Sequence, residues 1–115
     1  MKIKIIVGDT PPSLNELIGK PYGEVAGIKK SWADILYLYA YQAGWRPAEK
    51  TKYKNCKVTM RFPDNRRRDI DNFSKVLLDA LFRADLIWDD SVQKLNYSLA
   101  IEVKTGVRET EVQLW

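Results

Sequence analysis

Apolar and polar residues alternate with a period of two at three places along the chain. In residues 2–7, Ile3, Ile5 and Val7 alternate against lysines. In residues 53–62, Cys56, Val58, Met60 and Phe62 point one way while Lys57, Thr59 and Arg61 point the other. Residues 95–104 repeat the pattern through Leu95, Tyr97, Leu99, Ile101 and Val103, and Thr105-Gly106 starts a connection to a last strand at residues 109–114. That period is the signature of a strand. Two other segments carry the helical period. In residues 31–43, Trp32, Ile35, Leu36, Tyr39 and Ala43 share one face; Ser31 with Asp34 resembles a capping box and Gly44 suits the stop. From Asp69 or Ile70 to about Ala84, the stripe is Ile70, Phe73, Leu77, Leu81 and Ala84. Residues 8–27, with Pro11, Pro12, Gly19, Pro21, Gly23 and Gly27, read as loop, and residues 63–68 as a turn. The order β-α-β-α-β-β predicts an α/β (α+β) fold. It is a single small domain over residues 1–115, with a mixed sheet and two helices.

Composition narrows the chemistry. No apolar run is long enough for a signal peptide or for the roughly 20 residues of a membrane span, so a cytoplasmic protein without membrane contact is expected. Cys56 is the single cysteine, which excludes an internal disulfide and a zinc site of several thiolates. The absence of histidine excludes Ser-His and Cys-His nucleophilic pairs and histidine metal ligands. Any metal must then be held mainly by oxygen, which suits Mg²⁺, Mn²⁺ or Ca²⁺.

Net charge is +4 with a pI near 9.2, a mild sign of an anionic partner. The distribution is more telling. Residues 50–68 carry eight Lys or Arg against Asp64 alone, and residues 69–90 carry six Asp against Lys75 and Arg83. The change of sign falls within "RRRDIDN", residues 66–72.

Each part of that motif has an ordinary explanation. Asp69 and Asp71 suit a helix start, Asp71 with Lys75 is an i,i+4 pair, Asp89-Asp90 in "WDDS" suits a turn, and an arginine run suits a solvated loop. Their conjunction has a second one. Carboxylates that bind a divalent cation, a lysine one turn along and a basic loop are the parts of metal-assisted phosphodiester hydrolysis, and no nucleotide cofactor is called for. The arginines Arg66, Arg67 and Arg68, with Lys29 and Lys30, would flank a DNA strand. Asp71, Lys75 and Asp79 fall within roughly 80° of one another opposite the core stripe. Leu78 and Phe82 share that sector, which suggests a second contact there, such as another subunit.

The segment "RRRDIDNFSKVLLDAL…WDDS" resembles the RusA-type Holliday junction resolvases, and "PPSLN" at residues 11–15 fits the loop after the first strand in that family. The resemblance covers essentially the whole chain. It implies a homodimeric endonuclease that nicks four-way DNA junctions symmetrically with Mg²⁺ or Mn²⁺. Carried onto this sequence, it makes Asp69, Asp71 and Asp90 the metal-binding catalytic carboxylates, Asp89 an accessory ligand and Lys75 the catalytic lysine. Two rival readings remain at this point. One is a non-enzymatic nucleic-acid-binding module; the other is a nuclease of the same fold acting on flaps, forks or duplex.

Overall fold

Four strands and three helices follow one another in the computed structural model, which describes residues 2–47, 52–66, 68, 71–88 and 95–115, with only the backbone at 71 and 72. They are β1 (Ile3–Val7), α1 (Leu14–Leu17), α2 (Tyr22–Gln42), β2 (Asn55–Arg61), α3 (Asp71–Arg83), β3 (Asn96–Glu102) and β4 (Glu109–Leu114). The sheet order is β1-β4-β2-β3. β4 lies antiparallel to both β1 and β2, with Ile3 opposite Leu114 and Arg61 opposite Glu109, and β2 is parallel to β3. The sheet is therefore mixed, as the element order implies. Among the described residues, no helix is long and apolar enough to cross a membrane.

The period of two decides which side chains meet the helices. Ile3, Ile5, Val7, Cys56, Val58, Met60, Val112 and Leu114 are buried in one core with Trp32, Leu36, Ala40, Phe73, Leu77, Ala80 and Leu81. Full burial of a leucine or valine contributes about 1.5–3 kcal/mol relative to exposure, so this layer dominates stability. The opposite face of the sheet is polar. There Arg61 lies 2.9 Å from Glu109, 3.5 Å from Glu111 and 3.7 Å from Glu102, and Lys4 adds a contact to Glu111 at 3.5 Å.

The helices depart from the sequence pattern in the first third of the chain. A capping arrangement forms at Ser13, whose Oγ accepts the Glu16 N–H at 3.3 Å and starts α1 within the segment read as loop. α2 begins at Tyr22 after Pro21, not at Ser31, so Ser31 lies inside the helix and caps nothing. Proline is well placed to precede a first turn because its missing N–H is not needed there. Gly23 and Gly27 lie on the exposed side, while Ile28, Trp32 and Leu36 pack inward. The predicted stop is observed: Gly44 has φ 107°, its N–H bonds Tyr41 O at 3.1 Å and the Trp45 N–H bonds Ala40 O at 3.0 Å, a Schellman ending. α3 ends in the same way, but the left-handed position is held by Asp85 at φ 67°.

β1, β2 and β3 run the same way, so their C-terminal ends and the start of β4 share one end of the sheet. α3 starts at that end. Its other end lies near Tyr53, which bridges to Ile87 ahead of β2.

Candidate functional site

Three loops meet where α3 begins. The first leaves β1: the Thr10 N–H bonds Asp9 Oδ1 at 2.8 Å, and Thr110 Oγ donates to the Asp9 carbonyl at 2.8 Å, which ties this loop to the start of β4. The second leaves β2 through Phe62, a buried ring 5.5 Å from that of Phe73 in α3. The third is the β3–β4 connection, where the Lys104 N–H bonds Asp64 O at 2.9 Å and the Thr105 N–H bonds Phe62 O at 3.1 Å. In open sheets, the C-terminal ends of parallel strands are where ligands are most often received.

Within the arginine run, Arg68 is not a solvated side chain. Arg68 forks Asp64, Nη1 to Oδ1 at 2.7 Å and Nη2 to Oδ2 at 3.0 Å, and its guanidinium lies 3.8 Å over the Phe62 ring. The side chain of Arg68 is only 4% exposed. The Arg66 N–H adds a bond to Asp64 Oδ1 at 3.0 Å. The Arg68 hydrogen bond, helped by that N–H, holds the Asp64 carboxyl down at about 2. Arg68 is thus engaged within the protein, whereas the side chain of Arg66 is exposed. Arg67 lies outside the described residues.

The two lysines of α2 also have partners. Lys29 Nζ lies 3.1 Å from Asp79 Oδ2 and ties α2 to α3, and Lys30 Nζ lies 3.3 Å from Asp34 Oδ2 on an exposed turn. The sector of α3 expected to face a second subunit is therefore partly taken by α2. Asp79 meets Lys29 and Leu78 packs against the core, while Phe82 is 53% exposed. Lys75 is exposed one helical turn beyond Asp71. Ser74, beside it, accepts a hydrogen bond from Tyr97 Oη at 2.9 Å, which anchors this turn to β3.

At the far end of α3, Lys52 Nζ lies 2.7 Å from Asp85 Oδ1 and 4.5 Å from the centre of the Trp88 ring. The Tyr53 N–H bonds Leu86 O at 2.9 Å. These contacts fix the backbone that leads into Asp89-Asp90, and no local sequence pattern pointed to Lys52.

Asp69, Asp89 and Asp90, and the side chain of Asp71, lie outside the described residues. Among the described residues, no three acidic, cysteine or histidine side chains gather closely enough to hold a metal ion. Cys56 is buried in the core, and burial pushes its thiol up to about 12, so a thiolate ligand is not on offer there.

Residues 29–114 match the model of a family described as endodeoxyribonuclease RusA. No curated protein matches the sequence.

Proposed function

The chain belongs to the RusA endodeoxyribonuclease family, and from that premise we propose that it resolves four-way DNA junctions by paired symmetric nicks, using a divalent cation, in recombination and repair. The family is one of endonucleases that resolve Holliday junctions. Membership tells against the non-enzymatic module. The observation that carries the reading is the position of the matched segment: the helix opened by "RRRDIDN" starts at the loop-lined end of the sheet.

The available donors fit Mg²⁺ or Mn²⁺. The chain has no histidine, its cysteine is a buried thiol, and the acids of the motif offer only carboxylate oxygen. Asp69, Asp71 and Asp90 would hold the cation, with Asp89 beside them. When bound, the cation activates water and neutralises charge developing on phosphorus. Lys75, exposed on the first turns of α3, steadies the scissile phosphate, and Arg66 and Arg67 contact phosphates along the strand. Arg68 supports this indirectly, by holding its loop against Phe62 through the Asp64 fork.

Phe82, left 53% exposed on α3, is an apolar side chain that a second copy would cover, and the two-fold axis of a homodimer matches two symmetric cuts.

The test is a panel of synthetic four-way junctions, flaps, forks and duplexes at matched salt, with and without Mg²⁺. We expect metal-dependent nicking favouring the four-way junction, abolished by Asp71→Asn with binding retained. Cleavage by Asp71→Asn, or without a divalent ion, would contradict the assignment. Preference for flaps or forks would leave the chemistry and replace the substrate. Sedimentation showing only a monomer at concentrations where the protein cleaves would overturn the homodimer.

A further inference from the structure

A cation that belongs to no motif stands beside the start of α3. Arg108 lies on the β3–β4 connection, far along the chain from the arginine run. Its Nη1 donates to Thr10 Oγ at 2.9 Å, and its guanidinium carbon lies 5.2 Å from the centre of the Phe62 ring. Arg68 holds the closer place over that ring, at 3.8 Å.

The two guanidiniums differ in charge balance. Asp64 neutralises Arg68 through a two-point fork. Arg108 is exposed, and among the described residues its hydrogen-bond partner is a neutral hydroxyl and it joins no ion pair. A guanidinium has five N–H donors in one plane, so most of its capacity is left over. The group is also held in place. Thr10 is fixed by its bond to Asp9, and Asp9 by the bond from Thr110. A charged donor set that is oriented before binding loses less freedom when an anion arrives.

We propose that Arg108 is a DNA-phosphate contact, gripping a backbone phosphate at the entrance of α3 with the donors that Thr10 leaves unused. The inference rests on the reading of the protein as a DNA endonuclease and adds a binding residue to it. Arg108 reaches the phosphate from a different loop than Arg66, so two separate loops near the helix start hold the strand. Because phosphates are alike in every sequence, the contact contributes affinity and position and no base preference.

Binding of a labelled four-way junction is measured without divalent ions over a range of salt, for the full-length wild type and variants checked by circular dichroism. Arg108→Gln should lower the slope of log affinity against log salt by about 0.9, the value for one phosphate. Between 50 and 200 mM salt, its deficit relative to wild type then shrinks by roughly threefold, for arms of unrelated sequence alike. Lys4→Gln removes an equal charge on the open face of the sheet and should leave the slope unchanged. Arg108→Lys and Thr10→Val keep the charge but lose the oriented fork, so both should bind more weakly at an unchanged slope. A folded Arg108→Gln with the wild-type slope overturns the proposal, as does an equal change in Lys4→Gln. Should Arg108→Gln not fold, wild-type affinity in both Arg108→Lys and Thr10→Val overturns it. Failure of the wild type to bind junctions would strike the proposed function instead.

Discussion

Replacing Gly27 by alanine tests whether α2 runs through the segment whose glycines and prolines suggest a loop. Gly27 lies inside α2, on its exposed side, and a Cβ added there meets nothing within 4 Å. No steric cost opposes the change, and what remains is the helix preference of alanine over glycine, about 0.8–1.0 kcal/mol, partly from a less disordered unfolded chain. A chain of 115 residues has an unfolding entropy near 0.24 kcal/mol/K, so Gly27→Ala should raise Tm by about 4 °C. The measurement is thermal unfolding followed at 222 nm, with urea unfolding to confirm that the m-value is unchanged. Gly19→Ala is the contrast. It also has open space, but its φ of +85° strains any residue with a Cβ, so it should lower stability by about 1 kcal/mol. A Tm that stays level or falls in Gly27→Ala would refute the reasoning. The helix would then start near Ser31, and the Lys29–Asp79 tie between α2 and α3 would lose its support.

Tyr97→Phe removes the bond to Ser74 and should cost about 1 kcal/mol in urea unfolding. In the wild type, burial raises the Tyr97 phenol from 10.0 to about 12, so neutral Tyr97 favours folding below pH 10, and that contribution is lost as pH rises towards 12; absorbance at 295 nm should show one phenol ionising late. Asp64 behaves in the opposite sense: its carboxyl is held from 3.8 down to about 2, so its contribution is present above pH 3.8 and disappears as pH falls towards 2, and an NMR titration midpoint near 3.8 would show that the Arg68 fork is absent in solution. Cys56 should resist a thiol reagent at pH 8 in the folded protein and react fully in urea, because its thiol is both covered and raised to about 12.

The first three strands were legible because alternation over five to seven residues leaves one face to bury, and Ile3, Ile5, Val58 and Met60 are buried as that rule requires. The stripe of α3 was legible for the same reason, through Phe73, Leu77, Leu81 and Ala84. The first half of α2 was hidden by Pro21, Gly23 and Gly27. Each glycine costs a helix only about 1 kcal/mol, which packing of Ile28, Trp32 and Leu36 outweighs, yet that packing is not written in the local pattern. The candidate site divides in a similar way. The charges of "RRRDIDN" were visible, but the folding of Arg68 back onto Asp64 depends on the turn between them. The pairing of Asp79 with Lys29 depends on which helix covers that sector. Lys52 and Arg108 are brought to the two ends of α3 by strands distant in sequence, and no short-range signal marks either.

The position of β4 has a consequence for synthesis. It sits between β1 and β2 in the sheet, yet it is the last of the four strands along the chain. While a ribosome is still extending the protein, β1 and β2 have no neighbour to join them, and their unpaired edges wait beside the emerging helices. The pairing of Ile3 with Leu114 then joins residues 111 apart in sequence in one late step, the kind of distant contact that slows folding. Until β4 is in place, β1 has no partner strand among the described residues, and the described sheet is reduced to the β2–β3 pair.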